Sequence, residues 1–266
     1  MMKIPLKKFV KAFLPYGIIV LYREYKKYHK HYKKSNIQKE FVFDIIFSVG
    51  IACRPAHYLK EYGLRVSANP LDWMMAYSLD TVIHLYKTKF EDFFVDYVED
   101  KEKSLEHNCH WYVDIKNNII SMHYDNVKNN NTVFRNLMRV RFKRINELLV
   151  SANRICFLSN RNDDINVQKR FLIEMGEIYT GEITYMNIRN NNNIRPLTAF
   201  KYFEKKISDR LKLVEFNLND IHPKGEKNNS DAWIGNYVIW DTIMEKISLK
   251  NKMNFISYLF KNMENK

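Results

Sequence analysis

The stretch Ser48-Val49-Gly50-Ile51-Ala52-Cys53-Arg54-Pro55 combines a thiol with a turn between two contrasting segments. Residues 41–48 form a short apolar run with the signature of a buried strand. Residues 54–62 have helical spacing, with Pro55 in the first turn and Gly63 as the stop. In open α/β sheets, ligands gather beyond the carboxyl ends of strands. Unpaired N–H groups at a helix start favour anions. A thiol at such a place is expected to ionise more readily than a free cysteine. The same N–H groups can hold an oxyanion. The competing reading of Cys53 is a small buried residue that fills space behind the turn.

A nucleophilic thiol needs a base. Of the eight histidines, His123 closes an apolar run, residues 118–124, and Asp125 follows two positions later. If that strand lies parallel beside the strand before Cys53, their carboxyl ends meet. Asp125 then orients the imidazole of His123. His222 is the rival base, with Asp220 before it in Asn217-Leu218-Asn219-Asp220-Ile221-His222-Pro223. That pattern is similar to the late Asp/His pair of SGNH-type hydrolases, but one residue short. His57 lies one helical turn after Cys53 and also reads as a surface position. His107 and His110 flank Cys109, yet zinc wants four ligands and no second pair is near. No metal and no cofactor is therefore expected. No Walker A loop, G-x-G-x-x-G or G-x-S-x-G is present, and seven glycines in 266 residues leave little material for one.

The elements that must position these groups alternate. Strands are predicted at 41–48, 118–124, 154–159, 182–187 and 211–217. Helices are predicted at 54–62, from about 70, through most of 80–106, and at 132–149, 166–178, 197–210 and 237–247. This alternation predicts an α/β fold: a mainly parallel sheet with helices on both faces, preceded by a basic helical arm. Three widely spaced cysteines argue against a disulfide framework and for a reducing, cytoplasmic setting.

The net charge of +13 is not spread evenly. Residues 1–39 hold eleven Lys/Arg against one acid, leaving only +3 for the rest. Three segments are expected: an arm over 1–36, a catalytic-type body over 37–250 and a tail over 251–266. The arm's apolar run, residues 13–22, is too short to span a bilayer. Its lysines and its tyrosines at 16, 22, 25, 28 and 32 suit the inner face of an anionic membrane, engaged through residues 3–34. A solvated helix packed on the body is the other reading. No nucleic-acid-binding motif is present, so a nucleic-acid partner is not expected.

Several blocks taken together resemble a bacterial family of unknown function described as papain-like cysteine peptidases. They are Ser48-x-Gly50-x-x-Cys53, Ala56-x-x-Leu59, Gly63-Leu64-Arg65, Pro70-x-Asp72-Trp73, Ser121-x-His123, and Trp233-x-Gly235 with Trp240. The resemblance covers about residues 41–247, and Leu71 stands where that family usually has an aromatic. It implies Cys53 as nucleophile and His123 as general base of a hydrolase acting on a peptide, amide or ester. Gly50, Arg65, Asp72, Trp73 and Trp233 become candidate substrate-binding residues. Acyl or glycosyl transfer in surface-polysaccharide synthesis, with a glycan substrate, is an alternative. A non-catalytic membrane-associated protein is another. Papain itself continues after its histidine in antiparallel strands. The alternation here predicts parallel ones.

Overall fold

A computed structural model describes residues 40–250, apart from 125, 126, 128, 129 and 228, together with Tyr25. The arm and the tail lie outside the described residues. Among the described residues, no helix is long and apolar enough to cross a membrane.

The chain begins with β1 (Phe41–Phe43) and β2 (Ile45–Ser48), divided at Asp44. The Asp44 carboxylate accepts from the N–H groups of Asn153 and Arg154, which pulls the backbone out of line there. Helix α1 (Arg54–Glu61) follows the Cys53 loop. Five strands form the main sheet in the order β2, β7 (Arg154–Ser159), β8 (Glu182–Asn190), β10 (Leu211–Leu218), β9 (Phe200–Lys206). The first three pairings are parallel and the last is antiparallel.

Alternate side chains of these strands enter two separate apolar clusters, as period-two geometry requires. Ile45, Phe47, Ile155, Phe157, Ile183 and Tyr185 join residues of α2 (Leu79–Lys87), α4 (Asn131–Ser151) and α5 (Ile165–Ile178). Ile46, Cys156, Leu158, Met186 and Val214 join residues of α1 and α6 (Tyr237–Glu245). In that second cluster Tyr58 of α1 stacks on Trp240 of α6 at 4.5 Å, and Leu59 is buried. Burying each such side chain is worth about 2 kcal/mol. The helix that starts at Cys53 is therefore fixed to the sheet beneath it.

Several expectations fail. The segment 197–210 is not a helix but the edge strand β9. Its Phe200 and Tyr202 meet Phe216 of β10 at 5.7 and 5.2 Å, and a turn at Ser208 returns the chain. Cross-strand aromatic pairing outweighed the helical reading. Residues 70–73 form a turn closed by Asn69, whose carbonyl accepts from Asp72 N–H, and no helix opens there. The stretch 80–106 is only partly helical. It contains α2, then turns, then β4 (Tyr97–Glu99) and α3 (Lys101–His107). A second, antiparallel sheet runs β3 (Met74–Met75), β6 (Ile119–Ser121), β5 (Tyr112–Asp114), β4. Strands of two or three residues are too short to show a period. A short parallel pair joins β1 to β11 (Ile247–Leu249), where the closing helix was predicted to end.

Candidate active site

Three tethers hold the loop from Ser48 to Cys53. Val49 N–H continues the parallel ladder to Leu158 O at 2.8 Å. The Asn69 side-chain amide donates to Ser48 O at 2.9 Å. Ala76 N–H donates to Ile51 O at 3.1 Å. Gly50 passes between Asn160 and Pro55 so closely that a Cβ would sit 2.5 Å from both. Only glycine fits there, whatever its conformation.

Arg65 and Asp72 form a buried pair behind this loop. The Asp72 carboxylate, 1 % exposed, accepts from Arg65 Nε at 2.8 Å and from Asn69 N–H at 2.9 Å. The pair thus fixes Asn69, which in turn fixes Ser48. Burial still raises the Asp72 pKa above the usual carboxylate value, with the Arg65 charge opposing it.

His123 lies two residues beyond β6. It was expected to arrive on a strand beside β2, but β2 is paired to β7. The actual route runs through the small antiparallel sheet. Ser121 is in register with Met74, and Trp73, just before β3, meets the His123 ring edge-on at 5.9 Å. This brings His123 Nε2 to 3.5 Å from Cys53 Sγ, across 70 residues of sequence. At that distance Nε2 accepts from the thiol only if Nδ1 carries the ring proton. Asp125, the expected orienter of Nδ1, lies outside the described residues.

His222 is not brought to the thiol's hydrogen bond. It is buried, and its Nδ1 accepts from Lys224 N–H at 3.1 Å and from the Asn229 amide at 2.9 Å. Asp220 serves a different neighbour. It pairs with Arg54 and accepts from Asn236 N–H and Trp240 Nε1, both at 3.0 Å. Arg54 also donates to Trp233 O at 2.7 Å. The Trp233 side chain, 46 % exposed, meets His57 edge-on at 4.8 Å. The late Trp-x-Gly block therefore packs against the helix that Cys53 opens. Its Gly235 sits at φ +67°, where a Cβ would fall 2.4 Å from Asp220.

His107 stacks on Trp111, and His110 bonds Glu99. Among the described residues, no three His, Cys, Asp or Glu side chains gather to hold a metal.

The model of the family described as "Putative papain-like cysteine peptidase (DUF1796)" matches residues 44–177, half of the chain. The chain belongs to this family. The papain-like match contains Cys53, Asp72, Trp73 and His123, and it ends before Asp220, His222 and Trp233. No curated protein and no solved structure matches.

Electrostatics correct one expectation about this site. Cys53 is 9 % exposed, and burial pushes its thiol up to about 11, aided by the nearby Asp72 carboxylate. The residue's own N–H opposes this without overcoming it. Burial lowers the His123 pKa below its usual value. Both shifts favour uncharged partners, so the resting pair is thiol and neutral imidazole. Thiolate at pH 7 is then about one part in ten thousand. Alkylation of Cys53 by iodoacetamide should climb about tenfold per pH unit from 7 to 10, with no plateau on the acid side. Rates measured residue by residue from pH 4 to 10 check this. A fast, flat rate below pH 7 would instead reveal an ion pair.

Asn69, Asn160 and Arg161 escaped the sequence reading. The positional rule that singled out Cys53 also applies to the residues just beyond β7, and Asn160-Arg161 are those residues.

Proposed function

We propose that this chain is a cysteine hydrolase or acyltransferase with Cys53 as nucleophile and His123 as general base. The 3.5 Å approach of Cys53 Sγ to His123 Nε2 carries this reading. As Sγ bonds to the substrate's carbonyl carbon, its proton passes to Nε2. The carbonyl oxygen takes the negative charge, facing N–H groups of the loop and of the start of α1. Collapse of this intermediate expels the leaving group, which takes the proton from Nε2, and a thioester remains on Cys53. Nε2 then removes a proton from water or from an acceptor, which attacks the thioester. The departing sulfur recovers that proton. Because burial lowers the His123 pKa, the ring stays neutral, and so competent as a base, to lower pH than an ordinary histidine.

Trp73 and Trp233 retain the substrate-binding role, since each offers ring surface beside His123 or His57. We assign Gly50, Arg65 and Asp72 to holding the loop. The acyl-transfer reading is tested with p-nitrophenyl acetate. A burst of about one equivalent of p-nitrophenolate per chain is expected. No burst above the rate of buffer would count against it.

Residues 1–36 are proposed to lie on an anionic membrane surface, on the strength of their ten Lys/Arg and their tyrosines. Full-length chain should co-sediment with phosphatidylserine vesicles. Salt at about 0.5 M, which shortens the screening length to roughly 4 Å, should release it. Equal sedimentation of a chain lacking 1–36 would remove this reading.

A further inference from the structure

The geometry points to Asn160 and Arg161 as positioning residues that hold the peptide planes of the nucleophile loop so that its N–H groups face the oxyanion. This rests on the acyl-transfer reading above and adds to it residues from a separate strand end.

Arg161 is only 2 % exposed, yet its guanidinium is committed largely to backbone. Its Nε donates to Val49 O at 2.9 Å, and Nη2 reaches Gly50 O at 3.5 Å. The cation lies over the Tyr77 ring at 4.9 Å. Its own backbone is locked at both ends by one side chain. Asn187 Oδ1 accepts from Arg161 N–H, and Asn187 Nδ2 donates to Arg161 O, each at 2.9 Å. Beside it, Asn160 Oδ1 accepts from Ile51 N–H at 3.2 Å.

A buried arginine needs a compensating partner. Among the described residues its one carboxylate contact, Asp163, is at 3.7 Å, beyond hydrogen-bond reach. Loop carbonyls therefore supply much of the compensation. The consequence for the loop follows from peptide planarity. In a trans peptide the C=O and the next N–H point in opposite directions. Arg161 draws the carbonyls of Val49 and Gly50 to one side. Asn160 fixes the N–H of Ile51, and Ala76 N–H fixes the Ile51 carbonyl. The N–H of Ala52 must then point away from Ala76. Among the described residues, the N–H groups of Ala52 and Arg54 have no partner. Donors preset in this way require no rearrangement when negative charge appears on the carbonyl oxygen.

Two probes of Cys53 separate this role from general support of the fold. Acylation by p-nitrophenyl acetate passes through an oxyanion. Alkylation by iodoacetamide at the same alkaline pH displaces iodide from a saturated carbon and forms none. Asn160→Ala and Arg161→Met are each expected to slow acylation about a hundredfold, the scale of one lost oxyanion donor. Alkylation should change less than about threefold in the same variants, since the thiol itself is untouched. Arg161→Lys, which keeps the charge and one donor, should recover part of the acylation rate. Equal loss with both probes would overturn the inference, because it would mean that the thiol itself had moved. Unchanged acylation would overturn it as well. Should Arg161→Met fail to fold, Asn160→Ala decides, since Asn160 is half-buried and packs at the loop's rim. A wild-type protein that is alkylated but never acylated would remove the acyl-transfer reading and this role together. Normal wild-type acylation with indifferent variants would remove this role alone.

Discussion

Cys53→Ala should abolish acylation at residue 53, and His123→Ala should slow it by roughly 10²–10⁴-fold, the range of general-base assistance. The size of the histidine effect follows from the resting state. With the thiol pushed up to about 11, spontaneous thiolate is scarce at neutral pH. Attack therefore depends on proton transfer to Nε2 as the bond forms. An enzyme resting as an ion pair would already hold thiolate before substrate arrived. Here the base is needed in each turnover. The loss in His123→Ala should shrink as pH rises toward 11, where hydroxide supplies the thiolate. Stopped-flow release of p-nitrophenolate at pH 7 and pH 10 measures both parts. A loss that is the same at both pH values would place His123 in a structural role.

Asp72→Ala should cost about 3 kcal/mol of stability, measured by urea unfolding. The mutation leaves Arg65 without its partner and frees the Asn69 N–H inside the fold. It takes the low end of the range for broken buried pairs because Arg65 keeps some access to water. Asn69 then loses its anchor, and with it the tether on Ser48 loosens. Asp72→Ala should therefore lower the acylation rate even in the fraction that remains folded. Asp72→Asn gives a sharper contrast. It keeps an acceptor for Asn69 N–H but removes the carboxylate that helps to raise the thiol. Its Cys53 should alkylate faster than wild type at pH 8. Slower alkylation in folded Asp72→Asn would show that the carboxylate acts on Cys53 mainly through geometry.

The two ends of the dyad were legible in the sequence for different reasons. Cys53 stood out because a strand, a glycine turn and a Pro-containing helix each have a local signature, and the structure keeps all three. His123 stood out by its place at a strand end, yet the route imagined for it was wrong. The strand that delivers it has three residues and pairs with one of two, so neither length nor period announced a second sheet. The edge strand β9 was read as helix because its lysines and aromatics fit either period. Only the register with β10, a non-local fact, decides it. Asn69, Asn160 and Arg161 were missed because they act on backbone carbonyls and N–H groups, which have no sequence of their own. The expected lowering of the Cys53 pKa failed for a related reason. A helix start is visible in sequence, whereas the burial that outweighs it is not.

Activation of Cys53 by His123 has an internal control in the other cysteines. All three are free, and Cys109 is less buried than Cys53. Ordinary thiol exposure would direct a limiting dose of an activated ester to Cys109. Base-assisted attack directs it to Cys53. Folded protein should be treated with one equivalent of p-nitrophenyl acetate near neutral pH, quenched in acid and mapped by peptide mass spectrometry. Acetyl on Cys53 ahead of Cys109 in wild type, with the order reversed in His123→Ala, is the predicted result. Acetyl on Cys109 first in wild type would contradict it.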